Sequence, residues 1–230
     1  GGDDKYDTFT RSQGFGGPGG HGVLYDAAGN DKYRADPGDP EQGGELRYPS
    51  PQLPNSGNAS LSQGAAAGVR DDNNGQHRVG GVGLLRDRAG DDSYEAGVFA
   101  QGAGYWFAAG FLFDDAGKDQ YDALWYGQGA AAHFAMGLLR DGGGDDRYNL
   151  RLKPVSSSLG LGHDLAVGWH LDLGGNDRYR APPLSLGQAS SDGAGILYNM
   201  GGQDTYQGAN PSAGDGAFWG EDKGVGMDTP

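Results

Sequence analysis

Polar and apolar residues alternate around a tyrosine that recurs along the chain at Tyr6, Tyr33, Tyr94, Tyr121, Tyr148, Tyr179 and Tyr206. The residues on either side of each tyrosine are polar, as in Arg147 and Asn149, and the residue two places after it is small in most copies, as in Ala35 and Ala96. A period of two predicts β-strands whose tyrosine, small residue and preceding aspartate face inward.

A second predicted strand contains the motif Gly-x-x-x-Asp and carries a leucine at one fixed position within it. These leucines are Leu24, Leu85, Leu112, Leu139 and Leu197. If successive copies stack at about 4.8 Å, each such position becomes a ladder of like side chains inside the protein.

The strands belong to an internal repeat built on Asp-x-x-Gly-x-Asp-x-Tyr. This motif occurs at 26–33, 87–94, 114–121, 141–148 and 172–179, with Asn199 replacing the first Asp at 199–206 and a partial copy at 2–6. Undisturbed copies are 27 residues apart. A repeat of this length with glycine turns is typical of one coil of a parallel β-solenoid. We therefore predict an all-β parallel β-solenoid, or β-helix, of about seven coils with about three short strands each.

Longer spacings are explained by insertions into single coils, so we predict one repeat domain over residues 1–230. The insertion loops fall near 37–59, 70–80 and 151–156. Residues 130–136 read in isolation as a helix, but the aligned residues 103–109 are rich in aromatic side chains, which favours a strand. Both ends of the sequence fall inside the repeat pattern, and from this we expect the chain to be part of a longer one.

Composition agrees with a thin, turn-rich β structure. Glycine contributes 47 residues without a Gly-X-Y period, aromatic residues make up 10%, and there is no cysteine. The net charge of −14 argues against nucleic acid or an anionic membrane as a partner and favours cations. No apolar run is long enough for a membrane span, so we expect no membrane insertion.

The inward aspartates carry the candidate chemistry. Like charges about 5 Å apart repel by about 3 kcal/mol at an effective dielectric constant near 20, so the carboxylates need compensation. Calcium is the predicted cofactor because it binds carboxylate and carbonyl oxygens. Its predicted ligands are Asp26, Asp31, Asp87, Asp92, Asp114, Asp119, Asp141, Asp146, Asp172, Asp177 and Asp204. The alternative is a metal-free, Asx-type cap in which each aspartate accepts backbone N–H bonds in its own turn, with Lys5, Lys32, Arg147 and Arg178 neutralising part of the charge.

The words Gly-Gly-x-Asp-x-Tyr and Gln-Gly-x-Gly in tandem resemble bacterial secreted Gly/Asp-rich repeat proteins, and more loosely the calcium-binding β-roll repeats of RTX proteins. The chain departs from RTX repeats in its period and in having tyrosine where they have an aliphatic residue. The resemblance implies a secreted or cell-surface protein with structural, adhesive or assembly roles.

Two further columns appear when the coils are aligned. Gln13, Gln63, Gln101 and Gln128 predict a hydrogen-bonded amide ladder. Trp106, His133, Asp164, Ser191 and Phe218 fall at one position of consecutive coils, and the first three are the candidate ligand-binding residues. His133 and Asp164 have the chemistry of an acid/base pair, although no catalytic residue is assigned.

The sequence thus favours a non-enzymatic extracellular structural, adhesive or self-assembling module with calcium-stabilised turns. Its expected partners are further copies of itself or other surface and matrix components, including polysaccharide. The alternative is a carbohydrate-active right-handed β-helix, either a polysaccharide lyase or hydrolase or a glycan-binding module.

Overall fold

The computed structural model describes residues 1–208, 210–221 and 223–229, and it confirms the predicted parallel β-solenoid. Each full turn contributes one strand to each of three parallel sheets, and corresponding residues of successive turns lie directly above one another. The register follows the repeat, since Tyr94 pairs with Tyr121 and Leu85 pairs with Leu112.

The first sheet carries the tyrosines. Its parallel strands are Lys5–Thr8, Lys32–Ala35, Ser93–Ala100, Gln120–Trp125, Arg147–Tyr148, Arg178–Ala181 and Thr205–Gly208. Leu53–Ser62 adds to this sheet by pairing with Ser93–Ala100, and Pro49–Ser50 pairs antiparallel with Leu53–Ser62.

The second sheet carries the leucine column. Its parallel strands are His21–Tyr25, Val82–Asp87, Ala109–Asp114, Met136–Asp141, Val167–Asp172, Ala194–Met200 and Gly224–Thr229. One further strand, Phe218–Glu221, pairs antiparallel with Gly224–Thr229 and covers the end of the stack.

The third sheet is made of two-residue strands, which are Ala66–Ala67, Gly104–Tyr105, Ala131–Ala132, Gly162–His163 and Ala189–Ser190. Residues 130–136 therefore contain a short strand and a bend, and are not helical. A 3₁₀ turn at Pro40–Gln42 is the one helical element of the described residues, and among them no helix is long or apolar enough to cross a membrane.

The inserted segments leave the stack and return to it. The chain leaves the first sheet after Ala35 and rejoins it where Ala59 pairs with Val98. The second excursion is closed by an antiparallel bridge between Val69 and Arg78, and Asp71 Oδ1 accepts N–H bonds from Asn73 and Asn74 at its tip. Arg151, in the third, donates to the buried carboxylate of Asp122.

The core is a set of stacked columns, as the alternation predicts. All seven tyrosine rings stack face to face, with centroids 4.6 to 5.0 Å apart and planes within 6°. The leucine column lies beside them, with His170 replacing leucine between Leu139 and Leu197. In so thin a fold, the burial of these large side chains in register is the main apolar contribution to the free energy of folding.

Two of the three corners use left-handed backbone at non-glycine residues. One corner has positive φ at the glutamine column and at the residue two places before it, for example Gln101 at 55° and Phe99 at 59°. The other has consecutive pairs such as Trp106 and Phe107, at 53° and 50°. Such φ values are uncommon for bulky residues, so the stacking of neighbouring turns must hold them in place.

The third corner is the repeat motif, and its glycine is required by close approach between turns. A Cβ on Gly144 would lie 1.4 Å from the carbonyl oxygen of Gly117, and one on Gly175 would lie 1.3 Å from that of Gly144. Any side chain at this position would separate the turns.

We therefore expect Gly144→Ala to lower the free energy of unfolding by about 3 kcal/mol, the upper end of overpacking costs, because a backbone carbonyl cannot move aside. Gly214→Ala is the matched control, since a Cβ there meets nothing within 4 Å. Urea unfolding followed by circular dichroism measures both, and equal midpoints for the two variants would contradict the steric account.

Candidate metal centre

The motif corner joins the second sheet to the first and holds two columns of acidic side chains. The first column ends each strand of the second sheet and consists of Asp26, Asp87, Asp114, Asp141, Asp172, Asn199 and Asp228. The second column comes just before each strand of the first sheet and consists of Asp4, Asp31, Asp92, Asp119, Asp146, Asp177 and Asp204. All of these side chains except Asp4 are buried.

The first-column carboxylates from Asp26 to Asp172 are hydrogen-bonded on both oxygens, whereas Asp228 is bonded on Oδ2. Oδ1 of Asp141 accepts the N–H of Gly143 at 2.7 Å, the Asx turn that aspartate favours. Oδ2 of Asp141 accepts the phenol of Tyr121 at 2.6 Å, and Asp114 accepts that of Tyr94 at 2.7 Å in the same way. Six of the seven tyrosines reach the aspartate of the next turn in this way, and Tyr179 instead donates to Asp172 of its own turn.

Five of the second-column carboxylates are hydrogen-bonded on one oxygen only. Oδ1 of Asp119 accepts the backbone N–H of Asp92 at 2.6 Å, and Oδ1 of Asp146 accepts that of Asp119 at 2.6 Å. Oδ2 is buried and has no hydrogen-bond partner among the described residues in five turns, at Asp31, Asp92, Asp119, Asp146 and Asp177. The metal-free cap expected within a single turn is therefore found in the first column, whereas these second-column bonds come from the preceding turn and leave Oδ2 without a partner.

The two columns meet in groups of three carboxylates that share members from turn to turn. Five of these groups are Asp4/Asp26/Asp31, Asp31/Asp87/Asp92, Asp92/Asp114/Asp119, Asp119/Asp141/Asp146 and Asp146/Asp172/Asp177. Within each group one oxygen from every residue lies within 4.8 Å of the others. Two ligands that each lie about 2.4 Å from one calcium ion can be no farther apart than this. The sequence-predicted ligands from Asp26 to Asp177 are thus brought together as the register requires.

The prediction that neighbouring Lys and Arg side chains neutralise part of the aspartate charge is wrong. Lys5, Lys32, Arg147 and Arg178 are all exposed, because the residue between Asp and Tyr points outward. The ion pair of Lys5 is with the surface residue Asp7 at 3.3 Å. Among the described residues no Lys or Arg side chain pairs with either column, and the chain amino group contacts Asp26 at 3.1 Å.

Burial and repulsion between carboxylates therefore act on the pKa values of these groups without an opposing Lys or Arg ion pair among the described residues. Burial, followed by neighbouring carboxylates, raises the pKa of Asp119 to about 11, of Asp146 to about 10 and of Asp177 to about 9. The pKa of Asp92 rises to about 7 for the same reasons. Without a cation the columns would hold protons at neutral pH.

The strip predicted to bind a ligand is only partly assembled. Trp106, His133, Asp164 and Ser191 do stack in consecutive turns, whereas Phe218 lies in the antiparallel strand and pairs with Met227. His133 Nδ1 lies 2.6 Å from Asp164 Oδ2, and its Nε2 lies 3.3 Å from Arg70 Nη1. Both ring nitrogens are engaged, which leaves neither one open to a substrate in this arrangement.

Trp106 is also covered. Its ring packs against His77 at 5.1 Å and Phe107 at 5.4 Å between centroids, and the Arg70 guanidinium lies 5.3 Å from it. The inserted loop near 70–80 supplies His77 and Arg70, which alignment of the repeats alone does not place there. The Trp106 ring therefore packs against this loop, which leaves less of its surface free to stack on a sugar ring.

The glutamine column does not form an amide ladder. Gln63 Nε2 donates to the backbone carbonyls of Tyr33 at 2.9 Å and Glu95 at 3.0 Å, and Gln101 donates to those of Tyr94 and Asp122. Gln13, Gln63 and Gln101 each bridge two turns through backbone carbonyls because the left-handed bend aims the side chain at the first sheet. Gln128 donates to the Tyr121 carbonyl and to the side chain of Asn149 in the next turn.

Sequence reasoning missed two site residues and one set of contacts. Asp4, which was not among the predicted ligands, belongs to the group with Asp26 and Asp31. Asp228 accepts the phenol of Tyr206 at 2.9 Å and closes the first column, and the words Gly224-Val225-Gly226-Met227-Asp228 carried that signal. The phenol bonds between turns had no sequence signal beyond the constant spacing of Tyr and Asp.

The raised pKa values predict how stability depends on pH. A carboxyl whose folded pKa lies above its unfolded value of about 4 favours folding below pH 4, and that contribution is lost as pH rises through the folded pKa. In EGTA we expect the free energy of unfolding to fall by at least about 3 kcal/mol between pH 5 and pH 8. Added calcium should stabilise more at pH 8 than at pH 5, because its ligands must be deprotonated. Denaturant unfolding at both pH values tests this, and a flat profile in EGTA would contradict it.

Comparisons with known proteins give no independent guide to this site. No protein-family model, curated protein or solved structure matches the chain. Any assignment of function therefore rests on the geometry of the corner and on the surfaces of the stack.

Proposed function

We propose that this chain is a non-enzymatic structural module of the cell surface or extracellular space. In this proposal calcium ions lie between the aspartates of successive turns and stabilise the solenoid. The observation that carries the proposal is the row of buried second-column oxygens, Oδ2 of Asp31, Asp92, Asp119, Asp146 and Asp177, which lack a partner among the described residues. An unpaired buried carboxylate oxygen is costly, and a cation removes that cost.

Charge supports a divalent ion. Eleven carboxylates make up the five groups of three, so one divalent cation in each would neutralise ten of the eleven charges. Monovalent ions in the same places would leave more than half of the charge in a buried column.

Size and hydration favour calcium over magnesium. Calcium accepts six to eight oxygens at about 2.3–2.6 Å and tolerates irregular geometry, whereas magnesium requires about 2.0–2.1 Å and keeps several waters. The corner is buried between turns, and its oxygens spread up to 4.8 Å apart, which suits the larger and more easily dehydrated ion. Extracellular calcium modules bind at about 10⁻⁴–10⁻³ M, so a role outside the cell fits such sites.

The outer face of the second sheet supports assembly as the module's role. Its central row is apolar in seven consecutive strands, formed by Val23, Leu84, Phe111, Leu138, Trp169, Ile196 and Val225. The rows on either side contain no Asp or Glu, although the chain carries a net charge of −14. A second copy would therefore meet no carboxylate in these three rows, although one of the flanking rows carries Arg86 and Arg140.

A second copy is the partner that we propose for this face. Seven strands spaced by about 4.8 Å and three outward rows span roughly 30 by 13 Å, or about 400 Å² on each copy. This is below the roughly 800 Å² per partner of a standard interface, so a single pair should associate weakly and reversibly. Two identical flat faces can meet about a twofold axis without any change of fold.

For calcium, we expect equilibrium dialysis followed by atomic absorption to find several ions bound per chain. EGTA should lower the melting temperature by more than 10 °C, since the loss of several ions removes several kcal/mol. Magnesium at the same concentration is the control and should restore little of this stability. An EGTA-treated protein with an unchanged melting temperature would contradict the proposal.

For assembly, we expect sedimentation of the protein in calcium to show a weight-average mass that rises with concentration. Leu138→Glu combined with Trp169→Glu should hold it at the monomer mass by placing charges in the centre of the face. Thr205→Glu, on the exposed outer face of the first sheet, is the control and should behave like the unaltered chain. A chain that stays monomeric at every concentration would rule out this surface as a self-association face.

A further inference from the structure

One turn of the first column carries an amide where the others carry a carboxylate. Asn199 pairs with Asp172 of the preceding turn and Asp228 of the following one, and it is completely buried. Its position in the corner is therefore the same as that of Asp141 or Asp114, and only its chemistry differs.

The amide changes the hydrogen bonding of its turn. Asn199 Nδ2 donates to Asp204 Oδ2 at 2.9 Å and to the phenol oxygen of Tyr206 at 2.9 Å. Asp204 Oδ1 accepts the backbone N–H of Asp177 at 2.6 Å, as in the other turns. Asp204 is thus bonded on both oxygens, whereas the five second-column aspartates before it are bonded on Oδ1 alone.

The hydrogen bonds of the tyrosine hydroxyl groups near the amide also differ from those in the other turns. Tyr179 donates to Asp172 Oδ2 at 2.8 Å, where the pattern of the other turns would direct it to residue 199. Asp172 Oδ2 also accepts the phenol of Tyr148 at 2.8 Å. The amide therefore supplies N–H donors at the place where the neighbouring turns present three carboxylates to one another.

We infer that Asn199 makes the corner between Asp177 and Asp204 independent of a cation, so that the first-column residue decides turn by turn whether an ion is bound. This inference rests on the proposed cation binding at the other corners. An Asn side chain has the shape of Asp, carries no charge and donates two N–H bonds. It can therefore satisfy the second-column oxygen that a calcium ion would otherwise have to satisfy.

The inference predicts that sites can be removed and added one at a time. Asp141→Asn should remove one calcium per chain, because the amide would donate to Asp146 Oδ2 as Asn199 does to Asp204. Asn199→Asp should add one calcium, because it recreates the three-carboxylate group between Asp177 and Asp204. The double variant should return the count to that of the unaltered chain.

The experiment is equilibrium dialysis of the full chain against calcium chloride at pH 8, with bound metal counted by atomic absorption. Thermal unfolding in EGTA is the second readout. Asp141→Asn should melt above the unaltered chain in EGTA, and Asn199→Asp should melt below it. Asp91→Asn is the matched control, because Asp91 is exposed on the outer side of the same corner and is aligned with Asn30 and Asn176. It should leave the calcium count unchanged.

The outcomes separate this inference from the proposed function. Calcium counts per chain that change by one in the expected directions support the inference. If one single variant folds poorly, a double variant with the calcium count of the unaltered chain also supports it. An unaltered chain that binds calcium while both single variants keep the same count would overturn the inference and leave calcium binding in place. An unaltered chain that binds no calcium would overturn both.

Discussion

Repulsion between buried carboxylates is the constraint around which this solenoid is built. The parallel sheets hold successive turns at the spacing of hydrogen-bonded strands, about 4.8 Å, so a residue that recurs in every turn lies directly on its own copies. For tyrosine this gives stacked rings, and for aspartate it gives a column of like charges. The columns are buried, and among the described residues no Lys or Arg side chain reaches them.

Hydrogen bonds within the protein offset part of the cost of burying these carboxylates. Tyrosine phenols from one turn bond the first-column aspartates of the next, and backbone N–H groups bond one oxygen of each second-column aspartate. The glycine of the motif permits these contacts, because a side chain there would strike the carbonyl of the neighbouring turn. What remains is one unpaired oxygen in each of five turns, and a cation or a proton must account for it. The corner that requires glycine for close approach between turns is therefore also the one where we expect stability to depend on pH and on cations.

The remaining surfaces differ in what they offer. The outer face of the first sheet carries charged and polar residues, such as Lys32 and Arg147, that keep it solvated. The central row of the outer face of the second sheet is apolar along its whole length, which suits contact with another protein surface. The His133 and Asp164 pair lies between them, closed on one side by the loop that carries Arg70 and His77. These two faces, together with the cation binding that we propose at the motif corner, are the observations that support the proposed structural role.

The sequence by itself determined the architecture, because a strand period of two and a repeat of 27 residues fix which side chains face inward and which lie above one another. The inward Asp31, Tyr33 and Ala35 and the outward Lys32 follow from that rule alone. Only the tertiary structure decided which oxygens are satisfied, because a hydrogen bond from Tyr121 to Asp141 joins different turns and depends on where each side chain ends. It likewise turned the glutamines toward backbone carbonyls and removed Phe218 from the aromatic strip, since left-handed bends and an antiparallel end strand have no signature in the repeat.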